Sequence, residues 1–303
     1  MKNRPLVYVV ILAWNHIDET LTTLESLLQS TYDNLQFVVV DNASTDGTPA
    51  TVRARFPTVE VLESPTNVGI SGGYNLGLKL ALSRGADYAI VANNDLVTDP
   101  ALIANLVTAL EAEPAAGMAM PKIYHYFGDR TRLWCPGASW RPFPPEVKMI
   151  LDVPDGPQFD VPRDIDYAPS CFLLIRRAAL EKVGLFDTGY FFYYDDWDFS
   201  ARLRAAGYRI LFVPSATLWH MVSISTQKSE KPARWWRVFG QSSVLFYGRH
   251  SNLWALLVFS GWFVIRESVK LQFGRIGPYL GGLGHGLWAH LKHPAQLHTL
   301  SGQ

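Results

Sequence analysis

Cysteine is nearly absent from this chain. Two thiols in 303 residues, Cys135 and Cys171, make neither a disulfide framework nor a C-x-x-C pair, which excludes a stapled secreted scaffold and fits a reducing compartment. Net charge is absent as well: 27 basic residues balance 27 acidic ones, and nothing in that balance points to nucleic acid. Long apolar runs are missing. The longest in the C-terminal part, LWALLVFSGWFVI at 253–265, is thirteen residues, about 20 Å as a helix against about 30 Å of bilayer hydrocarbon. The opening MKNRPLVYVVILAW imitates a signal peptide, but no small-x-small site follows it, and Asn15 to Glu19 reads as a strand end turning into a helix. A G-x-G-x-x-G loop is also lacking, since the glycines near the first helices fall at 69, 72, 73 and 77; a dinucleotide fold is disfavoured. There is no internal repeat and no low-complexity tract.

What is present is a core. Apolar residues make up 48% of the chain, enough for one large domain or a domain with an appendage. Residues 6–13, LVYVVILA, form a β-branched run too short for an independent helix, as expected of a strand buried on both faces. The spacing of Leu21, Leu24, Leu27 and Leu28 predicts a helix over 18–30, and LQFVVVDNAS repeats the buried-strand pattern. Alternation continues with a helix near 48–56, a strand near 59–62, a helix near 72–83, the strand YAIVANND and a helix near 100–112 started by Asp99. Strand and helix at this interval predict an α/β fold, a doubly wound, mostly parallel, Rossmann-like sheet. The segment 113–170 is poorly periodic and reads as irregular loops with a hairpin. CFLLIRR then reads as a strand and 177–183 as a short helix ended by Gly184.

Ligands of such sheets bind beyond the carboxyl ends of the strands, where Asp41 and Asp95 both fall. The turn DNASTDGT could be no more than a self-bonded turn before a helix, or its Asp41 could accept from a base or ribose. In NVGISGGYNLG, backbone N–H groups near a helix start favour phosphate, while the glycines could equally serve close packing. Asn93-Asn94-Asp95 is a hard-oxygen set suited to Mg²⁺ or Mn²⁺. The densest cluster is FFYYDDWDFSARLRAAGYRILFVPSATLWH, 191–220, where aromatics lead into Asp195, Asp196 and Asp198. Crowded carboxylates against aromatic walls raise one another's pKa, so one could act as a proton acceptor. The plainer alternative is a helix cap with an Asp198–Arg202 pair.

In this order, these motifs resemble the family 2 inverting glycosyltransferases of the GT-A fold, above all the bacterial rhamnosyltransferase-like members, over roughly residues 6–220. The resemblance implies transfer of a sugar from a nucleotide-diphosphate donor, dTDP-rhamnose or a UDP-hexose, to a glycan or lipid-linked acceptor in cell-envelope polysaccharide synthesis. It implies Asp196 as catalytic base with Asp195 beside it, and Asp41 as the acid that contacts the nucleotide base. Asp95 matches the metal-binding acid, with Asn93 in place of the first acid of D-x-D and His220 joining the metal site. Asn15, Asn67, Gly69, Gly73, Asn75, Asn94, Trp197 and Arg202 complete the substrate-binding set. The cofactor implied is Mg²⁺ or Mn²⁺. A catalytically silent carbohydrate-binding or scaffold protein of the same fold is the alternative. A sugar nucleotidyltransferase is weakened because ILAWNHIDET lacks a glycine-rich phosphate loop.

Charge divides the chain. Residues 1–227 carry a net −7 and residues 228–303 a net +7 with five of the ten tryptophans. We therefore expect a catalytic domain at 1–225 and a basic, aromatic, helical region at 226–303. Tryptophan with flanking cations suits an anionic membrane surface, with Trp254, Phe259, Trp262 and Phe263 entering the headgroups and the protein peripheral on the cytoplasmic face of the cell membrane. A homodimer contact, an intradomain helix pair and a tilted span are the alternatives.

Overall fold

The computed structural model describes residues 4–143, 145–221 and 232–292. The first half alternates as its apolar runs require: β1 (Val7–Ala13), α1 (Ile17–Leu27), β2 (Leu35–Asp41), α2 (Thr48–Arg55), β3 (Glu60–Glu63), α3 (Gly69–Ser83) and β4 (Tyr88–Asn93). β1 pairs parallel with both β2 and β4, and β2 with β3. Val7, Val9, Val10 and Ile11 are wholly buried because helices cover both faces of the sheet, which is why these strands are continuously apolar.

The second half carries β5 (Leu96–Thr98), α4 (Leu102–Ala112), β6 (Ala116–His125), β7 (Arg132–Leu133), β8 (Ala138–Pro142), β9 (Pro145–Met149), β10 (Val153–Pro154), β11 (Arg163–Asp164), β12 (Phe172–Arg176), α5 (Arg177–Val183), α6 (Asp195–Ala205) and β13 (Arg209–His220). The sheet runs β10-β7-β6-β12-β4-β1-β2-β3, and β13 joins β6, β5 and β11 at one side. The expected hairpin in 113–170 exists as β8–β9. The rest of that segment is more regular than its sequence reads, because β6 is a ten-residue strand inside the sheet. Its Gly117, Pro121 and Lys122 hide the strand pattern. Lys122 is tolerated there because Asp155 and Asp160 meet its ammonium at 2.8 and 2.7 Å, and the pairing of β13 with β6 shifts register just after Val213↔Pro121.

Three helices close the described chain: α7 (Ala233–His250), α8 (Leu253–Val269) and α9 (Phe273–Lys292). The expected domain boundary at 225/226 lies outside the described residues. These helices pack on the catalytic region through a second core, in which Phe246, Tyr247, Phe259, Phe263 and Tyr279 surround Tyr190 and Tyr194. Phe259 and Phe263 are therefore interior residues, not membrane-facing ones. Some of the positive charge is likewise spent internally, with Arg249 paired to Asp187 and Arg266 and Arg275 to Glu267.

Candidate active site

Three strand ends converge at one edge of the sheet. Asp95 follows β4; β12 begins beside it, with Asn93 N–H donating to Cys171 O at 2.9 Å; and β13 arrives so that Met221 N–H donates to Asp95 O at 2.8 Å. This juxtaposition sets His220 Nε2 3.1 Å from Asp95 Oδ1, and the Trp134 ring meets the imidazole edge-on. Burial pushes the Asp95 carboxyl up, but the charge and hydrogen bond of His220 outweigh it and hold the group below the usual range. Among the described residues no cluster of three or more His, Cys, Asp or Glu side chains could hold a metal. With its imidazole neutral, His220 would offer a nitrogen donor beside the Asp95 oxygen, a pair whose chemistry suits a divalent cation.

The acid cluster lies across the same edge. Two consecutive left-handed residues, Tyr193 and Tyr194 at φ 66°, lead into α6; such backbone costs about 1–3 kcal/mol per residue and persists only where packing enforces it. Asp195 and Asp196 occupy the first turn. Tyr167 OH donates to Asp196 Oδ2 at 2.6 Å, Ser170 N–H reaches the same oxygen at 3.3 Å, and Ser170 Oγ donates to Asp195 Oδ2 at 3.2 Å. Burial pushes Asp196 up to about 6, against hydrogen bonds from Tyr167, Ser170 and Trp197 that pull it down. Asp195 is driven well above the carboxylate range by burial and by the charge of Asp196. Burial thus raises both members of this adjacent pair, and the neutral hydrogen-bond donors around Asp196 favour its ionised form. Tyr74 links the two ends, its hydroxyl lying 2.9 Å from both Asn93 Oδ1 and Ser170 O.

Residues 8–184 match the family described as glycosyl transferase family 2. The chain is a family 2 glycosyltransferase. It is 30% identical to the N-acetylglucosaminyl-diphospho-decaprenol L-rhamnosyltransferase of Mycobacterium tuberculosis over 82% of this chain and 86% of that one. Two solved structures share its fold: a mannosyltransferase from Pyrobaculum calidifontis with GDP-Man and Mn²⁺ (TM-score 0.58, 19% identity, covering 95% of this chain and 88% of that one) and GalNAc-T7 with UDP, GalNAc and Mn²⁺ (TM-score 0.61, 17% identity, 82% and 50%). The architecture is GT-A, as the motif order implies.

Within this glycosyltransferase the expected residues divide into two groups. Asp41, Asn15, Asn67 and Gly69 line the ends of β1, β2 and the start of α3. Asp41 Oδ2 accepts from Ser44 N–H at 3.0 Å, and its buried Oδ1 has no hydrogen-bond partner among the described residues. Asn15 Oδ1 accepts from Thr45 N–H at 2.8 Å, and Asn67 Oδ1 from Gly69 N–H at 2.9 Å. Gly69 has φ +76°, and a Cβ there would stand 2.5 Å from Phe191 O, so only glycine fits.

The others face inward. A Cβ on Gly73 would collide with Leu12, so this glycine serves helix-on-sheet packing. Asn75 spends both ends of its amide on Phe186, at 2.7 and 3.0 Å, and Asn94 donates to Asn15 O and Thr20 Oγ1. Arg202 is committed to Asp198 and to the carbonyls of Val183 and Leu185. Asn93 Oδ1 already accepts from Tyr74, which leaves Asp95 and His220 as the stronger metal donors. Trp197, half-buried, meets both Tyr167 and Tyr194 edge-on. Tyr167 and Ser170 escaped sequence reasoning. Both lie in the poorly periodic stretch before β12, where only the short polar break in an apolar run marks them.

Proposed function

We propose that this enzyme moves a hexosyl or deoxyhexosyl unit from dTDP-rhamnose or a UDP-hexose to a hydroxyl of a lipid-linked glycan acceptor in cell-envelope polysaccharide synthesis, inverting the anomeric centre. The observation that carries the mechanism is the adjacent acid pair at the start of α6: Asp195 is buried against Ser170, and half-buried Asp196 is held by Tyr167 and Ser170 with its carboxyl pushed up to about 6. Asp196 takes the proton of the acceptor hydroxyl as that oxygen bonds to the anomeric carbon from the face opposite the diphosphate; the carbon–oxygen bond to the diphosphate breaks in the same displacement. Asp41, with its unpartnered Oδ1, accepts from the nucleobase. Asp95 and His220 would hold Mg²⁺ or Mn²⁺, which when bound offsets the charge of the leaving diphosphate. The acceptor class is carried by the mycobacterial relative, whose name specifies a sugar on a diphospho-decaprenol. A donor panel with a short-chain GlcNAc-diphospholipid, followed by nucleotide-diphosphate release and product anomer by NMR, tests the reading. Retention of configuration, or no release with any donor, refutes it.

The helical region 226–303 would dock the enzyme peripherally on the anionic cytoplasmic face of the membrane. No helix among the described residues is long and apolar enough to cross a bilayer. An apolar set is nonetheless exposed along α8, the turn after it and the start of α9, including Trp254 at 73%, Leu257, Ile265, Val269 at 78%, Leu271 and Phe273, beside Lys270. Flotation with anionic vesicles should be lost in a Trp254→Ser, Leu257→Ser, Ile265→Ser variant; equal flotation removes this surface from the proposal.

A further inference from the structure

The turn that presents Asp195 and Asp196 is gripped from the C-terminal side. Asp198 is fully buried, and a carboxylate so placed is untenable without partners. Arg202, on its own helix, satisfies Oδ2 at 2.7 Å. The other oxygen depends on α7: His250 Nε2 lies 2.8 Å from Oδ1 and Arg249 at 3.4 Å, while Arg249 also pairs with Asp187. Asp198 N–H donates to Tyr194 O at 2.8 Å, closing the first turn of α6 around the two acids. A shift of Asp198 therefore moves that turn.

The left-handed pair ahead of it is held by the same helix. The Tyr194 ring stacks between Phe239 and Phe246, with centroids 5.4 and 4.9 Å away, and its hydroxyl accepts from Ser243 Oγ at 3.2 Å. Ser242 Oγ donates to Phe192 O at 3.0 Å. On its other side this segment touches α3, where Ile70 N–H donates to Phe191 O at 2.9 Å. Strained backbone of this kind stays where surrounding structure over-determines it, and most of that structure is α7.

We infer that α7 is a positioning element for catalysis: His250 and Arg249 fix the acid-bearing turn of α6 through Asp198, and Ser242 and Ser243 fix the residues that lead into it. The helical region is then part of the active site's framework as well as a docking device. The inference rests on the assignment of Asp196 as base, and its test separates the two.

Full-length His250→Ala and His250→Gln are compared with the native chain by hydrogen exchange of the peptide spanning 192–198, by turnover with dTDP-L-rhamnose and a short-chain GlcNAc-diphospholipid, and by dTDP binding stoichiometry. The alanine variant should lose protection at 192–198 while the amides of β1 and β4 keep theirs. Its kcat should fall about 10- to 100-fold, the scale of a small misplacement of a catalytic group, with donor KM and dTDP stoichiometry unchanged. Glutamine, whose amide can still donate to Asp198, should restore both protection and kcat. Unchanged protection at 192–198 overturns the inference, and so does a kcat that falls only in step with dTDP stoichiometry. Asp196→Asn is run alongside. If that variant keeps native turnover, the assignment of the base is what fails.

Discussion

Asp95 and Asp196 stand at the two ends of a path that runs through Asn93, Tyr74 and Ser170, and their carboxyls are displaced in opposite directions. Both are largely removed from water. The difference lies in what replaced the water. Asp95 faces an imidazole, so its anion is stabilised; Asp196 faces a second acid and neutral donors, so burial prevails. One end is thereby suited to hold a cation and a diphosphate, the other to hold a proton briefly. Asp198, two residues beyond Asp196 on the same helix, shows that the helix itself is not the cause. Burial pushes it up too, yet His250 and Arg202 keep it low.

The largest effect should come from breaking the proton-accepting end. Asp196→Asn is expected to lower kcat by about 10²–10⁴-fold, the usual worth of a general base, with dTDP affinity by calorimetry within twofold; Asp195→Asn should be milder. The reverse order would transfer the role of base to Asp195. At the other end, Asp95→Ala or EDTA should weaken UDP or dTDP binding by about 10- to 100-fold relative to the native enzyme in Mn²⁺, the range typical of disturbed metal sites. Equal affinity with and without metal would take the cation out of the mechanism.

Two further changes sharpen the contrast. Asp198→Asn should lower stability in urea by about 3 kcal/mol, as for other broken buried ion pairs. His250 and Arg202 hold its carboxyl below the ordinary aspartate value in the folded state. The stabilisation is therefore complete above that value and lost as pH falls through the folded one. Tyr167→Phe removes a hydrogen bond that lowers Asp196, so the rising limb of kcat against pH should move to higher pH than in the native enzyme. A shift of about one unit corresponds to about 1.4 kcal/mol. A limb that stayed in place would mean that another group limits the rate.

The donor half was legible because its physics is local. Strands buried on both faces must be continuously apolar, so β1, β2 and β4 declare themselves, and the acids that end β2 and follow β4 fall at ligand-binding strand ends by topology alone. Four aromatics running into three carboxylates likewise marked α6. β6 was not legible. Lys122 and Pro121 look like loop residues until Asp155, Asp160 and the β13 irregularity are in place around them.

The C-terminal helices show most clearly where sequence stops. Their composition marks a basic, aromatic, helical segment whose thirteen-residue apolar run is too short to span a membrane, because length and hydropathy are properties of the segment itself. Which aromatics face outward is a property of the whole molecule. Phe259 and Phe263 turn in toward the core around Tyr194, Trp254 turns out, and Arg249 and His250 reach acids some fifty positions earlier. Asp195, Asp196 and Asp198 are alike in sequence, and only their partners across the fold decide that the first two carboxyls are pushed up and the third is held low, because a buried charge answers to what surrounds it in space.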